Sequence, residues 1–195
     1  MTPTMVLLAG PNGAGKSTLY ETRVAPAFKG PFINADVIQR DELRDPSMNA
    51  SYEAARIAAD RRADHLAQGL SFATETVFSH PSKLEVIEAA RAQGFNVIVM
   101  HVGVDSPDLS VARVGLRRDE GGHGVPEDKV RERFLRGQPL IRAAVKLADR
   151  GMVFDNSALN TPPAHCLTFT NGRLTEAKPL LPDWVRAVYG DDLIV

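Results

Sequence analysis

One short stretch of the chain has residue types and spacing suited to holding a row of phosphates. The stretch "LAGPNGAGKSTL" matches the pattern G-x-x-x-x-G-K-[ST] at Gly10, Gly15, Lys16 and Ser17. Glycines let successive backbone N–H groups converge on phosphate oxygens, and a helix that begins at Lys16 adds its positive dipole end. We expect Lys16 to reach the β- and γ-phosphates and the Ser17 hydroxyl to ligate Mg²⁺. ATP binding is therefore predicted at the loop residues Gly10, Pro11, Asn12, Gly13, Ala14, Gly15, Lys16, Ser17 and Thr18.

Two further segments place an acidic residue at the end of a predicted strand. Asp36 follows "PFIN", and Glu75 and Thr76 lie near the end of "SFATETVF". Because ligands of open parallel sheets bind at the carboxyl ends of the strands, these residues are expected at the site. Asp36 is the candidate base for an acceptor hydroxyl, and Glu75 and Thr76 are candidate contacts to the acceptor or Mg²⁺. The alternatives are that Asp36 only caps the next helix and that Glu75 lies on an exposed edge strand.

A run of arginines around a glycine-rich turn is the candidate lid, at about residues 106–136. Arg113 and Arg117 are four residues apart and share one helix face, and Arg133 follows "GGHG" in the next predicted helix. Arginines beside a flexible glycine segment can close onto the charge that develops on a transferred phosphoryl group. Arg113, Arg117 and Arg133 are therefore the candidates for this contact, whereas other arginines of the run are expected to be solvated.

An ATPase would instead use an acidic residue at a strand end to hold Mg²⁺ and orient water. The best match is Asp105, which ends "VIVMHVGVD". Asp105-Ser106-Pro107 is also a favourable helix start, with Asp105 as the capping residue. We favour the capping interpretation, and with it a phosphotransferase.

The elements that must position these residues alternate between strands and helices. Continuous apolar runs predict buried strands at residues 5–9, 95–104 and 151–154, with weaker candidates at 31–34 and 71–78. Helical patterns cover residues 50–68, 81–93, 106–118 and 126–150. This alternation predicts an α/β fold with a mostly parallel sheet of about five strands and helices on both faces. With the glycine-lysine loop, the expected fold is of the P-loop NTPase type.

The pattern changes after residue 160. We expect an edge hairpin that turns at Asn171-Gly172, followed by a short helix near Trp184, so that residues 161–195 complete a single domain of residues 1–195.

Composition excludes several functional classes. The 195 residues include 23 basic and 24 acidic ones, for a net charge of -1, which disfavours a nucleic-acid or membrane surface. The only cysteine is Cys166, so no intramolecular disulfide can form. The N-terminus lacks the basic start and apolar region of a signal peptide, and a cytoplasmic location is expected.

The quoted segments together resemble the zeta toxin family of P-loop kinases. The resemblance covers about residues 5–156 and rests on an ordered set: "GPNGAGKST", "INAD", "ATET", "GLRRDEGGHGVPEDKVRERF" and "VFDNS". The "GGHGVP" block is similar to a chromosomally encoded branch of the family. The resemblance implies ATP- and Mg²⁺-dependent phosphorylation of a sugar hydroxyl. In the toxins this is the 3′-hydroxyl of the N-acetylglucosamine in UDP-N-acetylglucosamine. It also implies an antitoxin protein as a candidate partner.

Carried over by position, the resemblance assigns phosphate binding to Lys16, the catalytic base to Asp36 and an acceptor-side carboxylate to Glu75. Arg113 or Arg117 corresponds to the first lid arginine. The second lid arginine of the toxins is replaced by His123, which is a weaker phosphate contact because it is neutral over much of the physiological range.

Other residues near these positions extend the site. Arg131 and Arg133 are the candidates to replace the missing arginine, and His123 itself is a candidate substrate contact. Asn156, with Ser157, is a candidate contact on the adenine side.

Other functions remain open at this stage. The scaffold also suits another small-molecule or nucleotide kinase, for which chloramphenicol phosphotransferase is an example, and an ATP-binding regulatory module that has lost its catalytic residues. A polynucleotide-end kinase is disfavoured because the chain has no net positive charge and only 6% aromatic residues.

Overall fold

The computed structural model describes residues 2–119 and 126–194, and side chains up to residue 116 in the first of these ranges. The described residues form one seven-stranded sheet in the order β2-β3-β1-β4-β5-β6-β7. Its strands are β1 Thr4–Ala9, β2 Phe32–Ile33, β3 Phe72–Thr76, β4 Asn96–Gly103, β5 Arg150–Asp155, β6 Ala164–Thr170 and β7 Arg173–Ala177. The helices are α1 Lys16–Leu19, α2 Ala35–Val37, α3 Met48–Gln68, α4 Ser82–Ala92, α5 Pro107–Asp119, α6 Glu127–Leu147 and α7 Asp183–Tyr189.

The first five strands are parallel, with β1 between β3 and β4. In this register Ala9, the last residue of β1, is opposite Thr76 on one side and His101 on the other. Parallel pairing brings the ends of β1, β3 and β4 to one edge of the sheet. The glycine-rich loop therefore leaves the sheet beside the segment that carries Glu75.

The two faces of the sheet are covered unequally. On one face Leu7, Val99 and Val153 pack in a core with buried residues of α3, α4, α6 and α7. On the other face Leu8 and Val102 share a smaller core with residues of α1 and of the π-helical turn that follows it (Tyr20–Val24). The predicted α/β fold with helices on both faces is confirmed.

Some predicted bounds needed correction. The hairpin supplies two antiparallel strands in addition to the five parallel ones, so the sheet has seven strands and not about five. The helix predicted to reach residue 150 ends at Leu147 because Arg150 already pairs with Ile98 in the sheet. The weak strand at 31–34 contains only Phe32–Ile33. The hairpin turn is where it was predicted, with Asn171 and Gly172 both at positive φ. Among the described helices, none combines the length and the apolar content needed to cross a membrane.

A buried histidine links β4 to the last helix. His101 is only 1% exposed, and its ring Nδ1 shares a hydrogen bond of 2.8 Å with the hydroxyl of Tyr189 in α7. Burial lowers the pKa of His101 from 6.5 to about 3, because the charged imidazolium would lose its hydration there. The imidazole is therefore neutral in the folded protein at physiological pH.

This histidine should make the protein sensitive to mild acid. The folded-state pKa lies below the ordinary value of 6.5, so the stabilisation is complete above pH 6.5 and is lost as the pH falls toward 3. Each pH unit in that window costs about 1.4 kcal/mol of unfolding free energy from this group. Urea unfolding at pH 7 and pH 5 should show a smaller loss in His101→Gln than in the unaltered protein. The exposed His80→Gln is the control, and an equal loss in all three proteins would contradict the assignment to His101.

Candidate active site

The phosphate loop connects the end of β1 to the start of α1 and contacts Asn156, which directly follows β5. Gly15 has φ 87°, and a Cβ there would lie 2.2 Å from the side-chain nitrogen of Asn156. A larger residue would be strained and would displace Asn156. The Asn156 Nδ2 atom donates a hydrogen bond of 2.8 Å to the Ala14 carbonyl oxygen. Asn156, which was predicted to contact the adenine side of ATP, thus binds the backbone of the phosphate loop.

Lys16 is buried within the loop that it follows. Its side chain is 8% exposed, and Nζ donates to the carbonyl oxygens of Gly10 and Pro11 at 3.1 Å each. These bonds hold the ammonium group over the loop. A phosphate in the loop would therefore meet a positive charge that is already positioned.

Two buried polar atoms, one in the loop and one next to it, have no hydrogen-bond partner among the described residues. They are Oδ1 of Asn12 and Oγ of Ser110. Ser110 is a neighbour of the loop, since its carbonyl oxygen lies 2.8 Å from the position of a Cβ on Gly13. Buried polar groups are nearly always paired, so these two oxygens are hydrogen-bonding groups that the described residues leave unused.

Ser17 and Glu75 bring two oxygen ligands together at the sheet edge. The Ser17 hydroxyl donates to Glu75 Oε2 at 3.3 Å. The strand β3 lies between β2 and β1, so the alternative that Glu75 lies on an exposed edge strand is wrong. Across the described ranges, no group of three or more His, Cys, Asp or Glu side chains is arranged for a metal ion. The Ser17–Glu75 pair nevertheless fits Mg²⁺, which prefers few protein oxygens together with phosphate and water.

Asp36 lies in the first turn of α2, just after β2. The residue that caps this helix is Asn34, whose Oδ1 accepts a hydrogen bond of 2.8 Å from the Asp36 backbone N–H. The alternative that Asp36 is the cap is therefore wrong. The Asp36 side chain is exposed, and no described residue donates a hydrogen bond to its carboxylate. This carboxylate is consequently available to an acceptor hydroxyl.

Thr76 has a local role in the turn after β3. Its Oγ1 accepts a hydrogen bond of 3.1 Å from the backbone N–H of Phe78. Phe78 is fully buried and has φ 56°, in the left-handed region that non-glycine residues seldom occupy. Such strain persists only where the surroundings enforce it, and it often marks functional sites. No residue pattern around Phe78 indicates this conformation.

Arg113 connects α5, which belongs to the predicted lid, to the loop after β5. Its guanidinium donates to the carbonyl oxygens of Asn156 at 2.7 Å, and of Ser157 and Ala158 at 3.4 Å each. The structure thus uses Arg113 to hold backbone, in contrast to the expected contact with phosphate. Sequence reasoning missed this because the bonded residues are 43 to 45 positions apart.

The arginines of α6 differ in their partners. Arg131 is paired with Asp108 at 2.6 Å and with Glu127 at 2.8 Å, so it joins α6 to α5. Arg133 is half-buried and has no hydrogen bond or ion pair with another described residue. It lies one helical turn before Gly137, where a Cβ would be 3.4 Å from the Val77 carbonyl oxygen. Arg133 therefore lies on the side of α6 that borders the end of β3.

The rest of the predicted lid cannot be placed. His123 and the glycines of "GGHG" lie outside the described residues, and so does the side chain of Arg117.

The start of α5 is capped by a residue other than the one predicted. Ser106 Oγ accepts a hydrogen bond of 3.2 Å from the Leu109 N–H, whereas the Asp105 N–H donates to Ser157 Oγ. Ser106 is the cap, and the expectation for Asp105 was wrong by one residue.

Comparison with known proteins gives one family match and several similar structures. The family model described as "Zeta toxin" matches residues 1–160. An uncharacterized protein of Haemophilus influenzae is 29% identical over 134 residues, which are 66% of this chain and 91% of that protein.

Two solved structures share the fold. One is a crystal structure of AvrRxo1-ORF1:-ORF2 with ATP, which has a TM-score of 0.68 and 19% identity. The match covers 89% of this chain and 60% of the other, so the chain spans about three fifths of that relative. The other is the PezAT chromosomal toxin-antitoxin system of Streptococcus pneumoniae, with a TM-score of 0.58, 14% identity and coverage of 80% and 69%.

The position of Lys16 makes a direct prediction for nucleotide binding. Lys16→Ala removes the ammonium group from the loop and should weaken ATP affinity by about tenfold or more, because charge-assisted bonds to phosphate are lost. Calorimetric titration with ATP and Mg²⁺ measures this effect. Lys178→Ala, which removes a lysine paired with Glu176 beyond the edge strand β7, is the control. Equal affinity in both variants would rule out Lys16 as a phosphate contact.

Proposed function

Because the chain belongs to the zeta toxin family of P-loop kinases, we propose that it is an ATP-dependent phosphotransferase whose acceptor is a hydroxyl of a nucleotide sugar, such as UDP-N-acetylglucosamine. One observation carries this proposal. The phosphate loop follows β1, Glu75 lies near the end of β3 beside Ser17, and Asp36 follows β2, so all three lie where parallel strands end at one edge of the sheet.

The phosphate loop is suited to bind the β- and γ-phosphates. Backbone N–H groups at the start of α1 and the Lys16 ammonium supply the positive end of the site. These contacts need no rearrangement of the sheet.

The transfer step requires a base on the acceptor side. The acceptor hydroxyl oxygen forms a bond to the γ-phosphorus while the bond from the γ-phosphorus to the β,γ-bridging oxygen breaks. ADP leaves with that electron pair, and the hydroxyl proton passes to the Asp36 carboxylate. Asp36 suits this role because Asn34 caps α2 and leaves the Asp36 side chain unused.

Charge on the transferred group must be stabilised as the step proceeds. Mg²⁺, when bound at Ser17 and Glu75, supplies neutralisation of the β- and γ-phosphate oxygens. Among the described lid arginines, Arg133 is the candidate for contact with the γ-phosphoryl group, since Arg113 and Arg131 are engaged elsewhere. Arg117 remains the second candidate and His123 a candidate acceptor contact, both on grounds of sequence.

Support for a nucleotide-sugar acceptor comes from family membership and the two carboxylates. Glu75 is the penultimate residue of β3 and Asp36 follows the neighbouring strand β2, and carboxylates are good acceptors for sugar hydroxyls. An antitoxin protein is a candidate partner, because the similar PezAT structure is a toxin-antitoxin system. We place the activity in the cytoplasm, where nucleotide sugars and ATP meet.

The role of Asp36 is testable by removing its charge. Asp36→Asn should retain ATP binding and lose about 100-fold or more in transfer rate, because the amide cannot take the hydroxyl proton. The measurements are ATP affinity by calorimetry and acceptor-dependent ADP release. Asp41→Asn, which changes an exposed carboxylate paired with Arg40 in the same segment, should leave both unchanged. Full turnover by Asp36→Asn would exclude Asp36 as the base.

The acceptor itself can be identified with a panel. The protein is incubated with ATP, Mg²⁺ and one of UDP-N-acetylglucosamine, other nucleotide sugars, chloramphenicol, nucleosides or a 5′-hydroxyl oligonucleotide, and the acceptors are analysed by mass spectrometry. We expect one added phosphate on a nucleotide sugar. Phosphorylation of another small molecule would support the proposed kinase activity and show that the acceptor is not a nucleotide sugar. ATP binding without any transfer would favour the regulatory module.

A further inference from the structure

The last helix of the chain contacts the segment that holds the phosphate loop. This helix, α7, lies in the region beyond residue 160, where the family match ends. Its indole Nε1 at Trp184 donates a hydrogen bond of 2.7 Å to Asp155 Oδ1 at the end of β5. The Trp184 ring also covers Gly103 so closely that a Cβ there would lie 2.3 Å from the ring. The indole is thus fixed against both β4 and β5.

The 155–157 segment consists of Asp155, Asn156 and Ser157. Each of these residues forms at least one hydrogen bond with another described residue. The Ser157 hydroxyl donates to Asp155 Oδ1 at 2.6 Å and accepts from the Asp105 N–H at 2.9 Å. The Asn156 N–H donates to the Gly103 carbonyl oxygen at 2.9 Å. These bonds fix the backbone from which the Asn156 side chain reaches the phosphate loop.

The 155–157 segment connects three parts of the molecule. Asn156 Nδ2 bonds to the Ala14 carbonyl oxygen in the phosphate loop, Arg113 of α5 bonds to the Asn156 carbonyl oxygen, and Trp184 bonds to Asp155. A displacement of Asp155 would change the direction of Asn156 and release the Ala14 carbonyl. The loop amides would then lose their fixed orientation toward a phosphate.

We propose that Trp184 is a positioning residue of the nucleotide site, which acts through Asp155 and Asn156 on the backbone of the phosphate loop. Helix α7 is then a part of the ATP-binding apparatus through the bond between Trp184 and Asp155. This inference rests on the proposed function, since it presumes that the loop binds ATP. It assigns no chemical step to Trp184.

The test compares two changes in the same helix of the full-length chain. Trp184→Phe retains an aromatic ring and removes the N–H donor, whereas Val185→Ala removes buried apolar volume from α7 and retains the donor. We expect Trp184→Phe to weaken binding of a non-hydrolysable ATP analogue by about fivefold or more, and to raise the KM for ATP with little change in kcat. Val185→Ala should lower the thermal stability and leave the affinity within about twofold. Calorimetry with Mg²⁺ present gives the affinities.

A second pair of variants distinguishes the effect of the hydrogen bond between Trp184 and Asp155 from the effect of the size of the aromatic ring. Asp155→Asn retains an oxygen acceptor for the indole N–H and should bind the analogue nearly as well as the unaltered protein. Asp155→Ala removes the acceptor and should reproduce the loss seen in Trp184→Phe. Trp184 is the only tryptophan of the chain, so its emission in the unaltered protein should also change as the analogue saturates the site.

The outcomes are distinguishable. Unchanged affinity in Trp184→Phe, or equal losses in Trp184→Phe and Val185→Ala, would overturn the inference and leave the kinase proposal intact. Failure of the unaltered protein to bind the analogue would refute the proposed function and the inference together.

Discussion

Parallel pairing of β1 with both β3 and β4 is the constraint on which the candidate site depends. It places the phosphate loop at the centre of the sheet edge, between the segments that follow those two strands. The Ser17 hydroxyl and the Glu75 carboxylate meet only because β1 and β3 are adjacent and end together. A different strand order would separate the triphosphate site from the acceptor carboxylates. The chemistry is therefore a consequence of topology as much as of the loop itself.

The loop is held in place by residues distant in sequence. Asn156 bonds to the loop carbonyl of Ala14, and Arg113 bonds to the Asn156 carbonyl in turn. Arg113, an arginine of the predicted lid, thus binds backbone carbonyl oxygens. Contact with the transferred phosphoryl group is therefore expected from other arginines. Arg133 is half-buried and forms no hydrogen bond or ion pair with the other described residues, and it is suited to that role because the planar donors of a guanidinium match phosphate oxygens.

Much of the fold could be predicted from the sequence because its signals are local. The apolar runs of β1, β4 and β5 and the glycine-lysine pattern are each contained within about ten residues, and so is the Asn171-Gly172 turn. The helix caps were harder, because Asn34 and Asp36, or Asp105 and Ser106, are equally good capping residues separated by one or two positions. Side-chain geometry decides between them, and sequence does not contain it.

The connections around the site could not be predicted in the same way. The bonds from Trp184 to Asp155 and from Asn156 to Ala14 span 29 and 142 positions, and no local pattern indicates them. The roles of Asn156 and Arg113 were consequently assigned to the ligand, whereas the structure shows contacts with the protein backbone. Polar residues near a binding site commonly position the protein groups that contact the ligand, and do not contact it themselves.

In the proposed kinase, one edge of the sheet holds a triphosphate opposite Asp36. A crystal structure of the protein with Mg²⁺, a non-hydrolysable ATP analogue and an acceptor sugar nucleotide tests this arrangement most directly. We expect phosphate oxygens on the loop amides, Mg²⁺ beside Ser17, and the acceptor hydroxyl between the γ-phosphorus and the Asp36 carboxylate. An analogue bound elsewhere, or an Asp36 side chain directed away from the terminal phosphate, would contradict it.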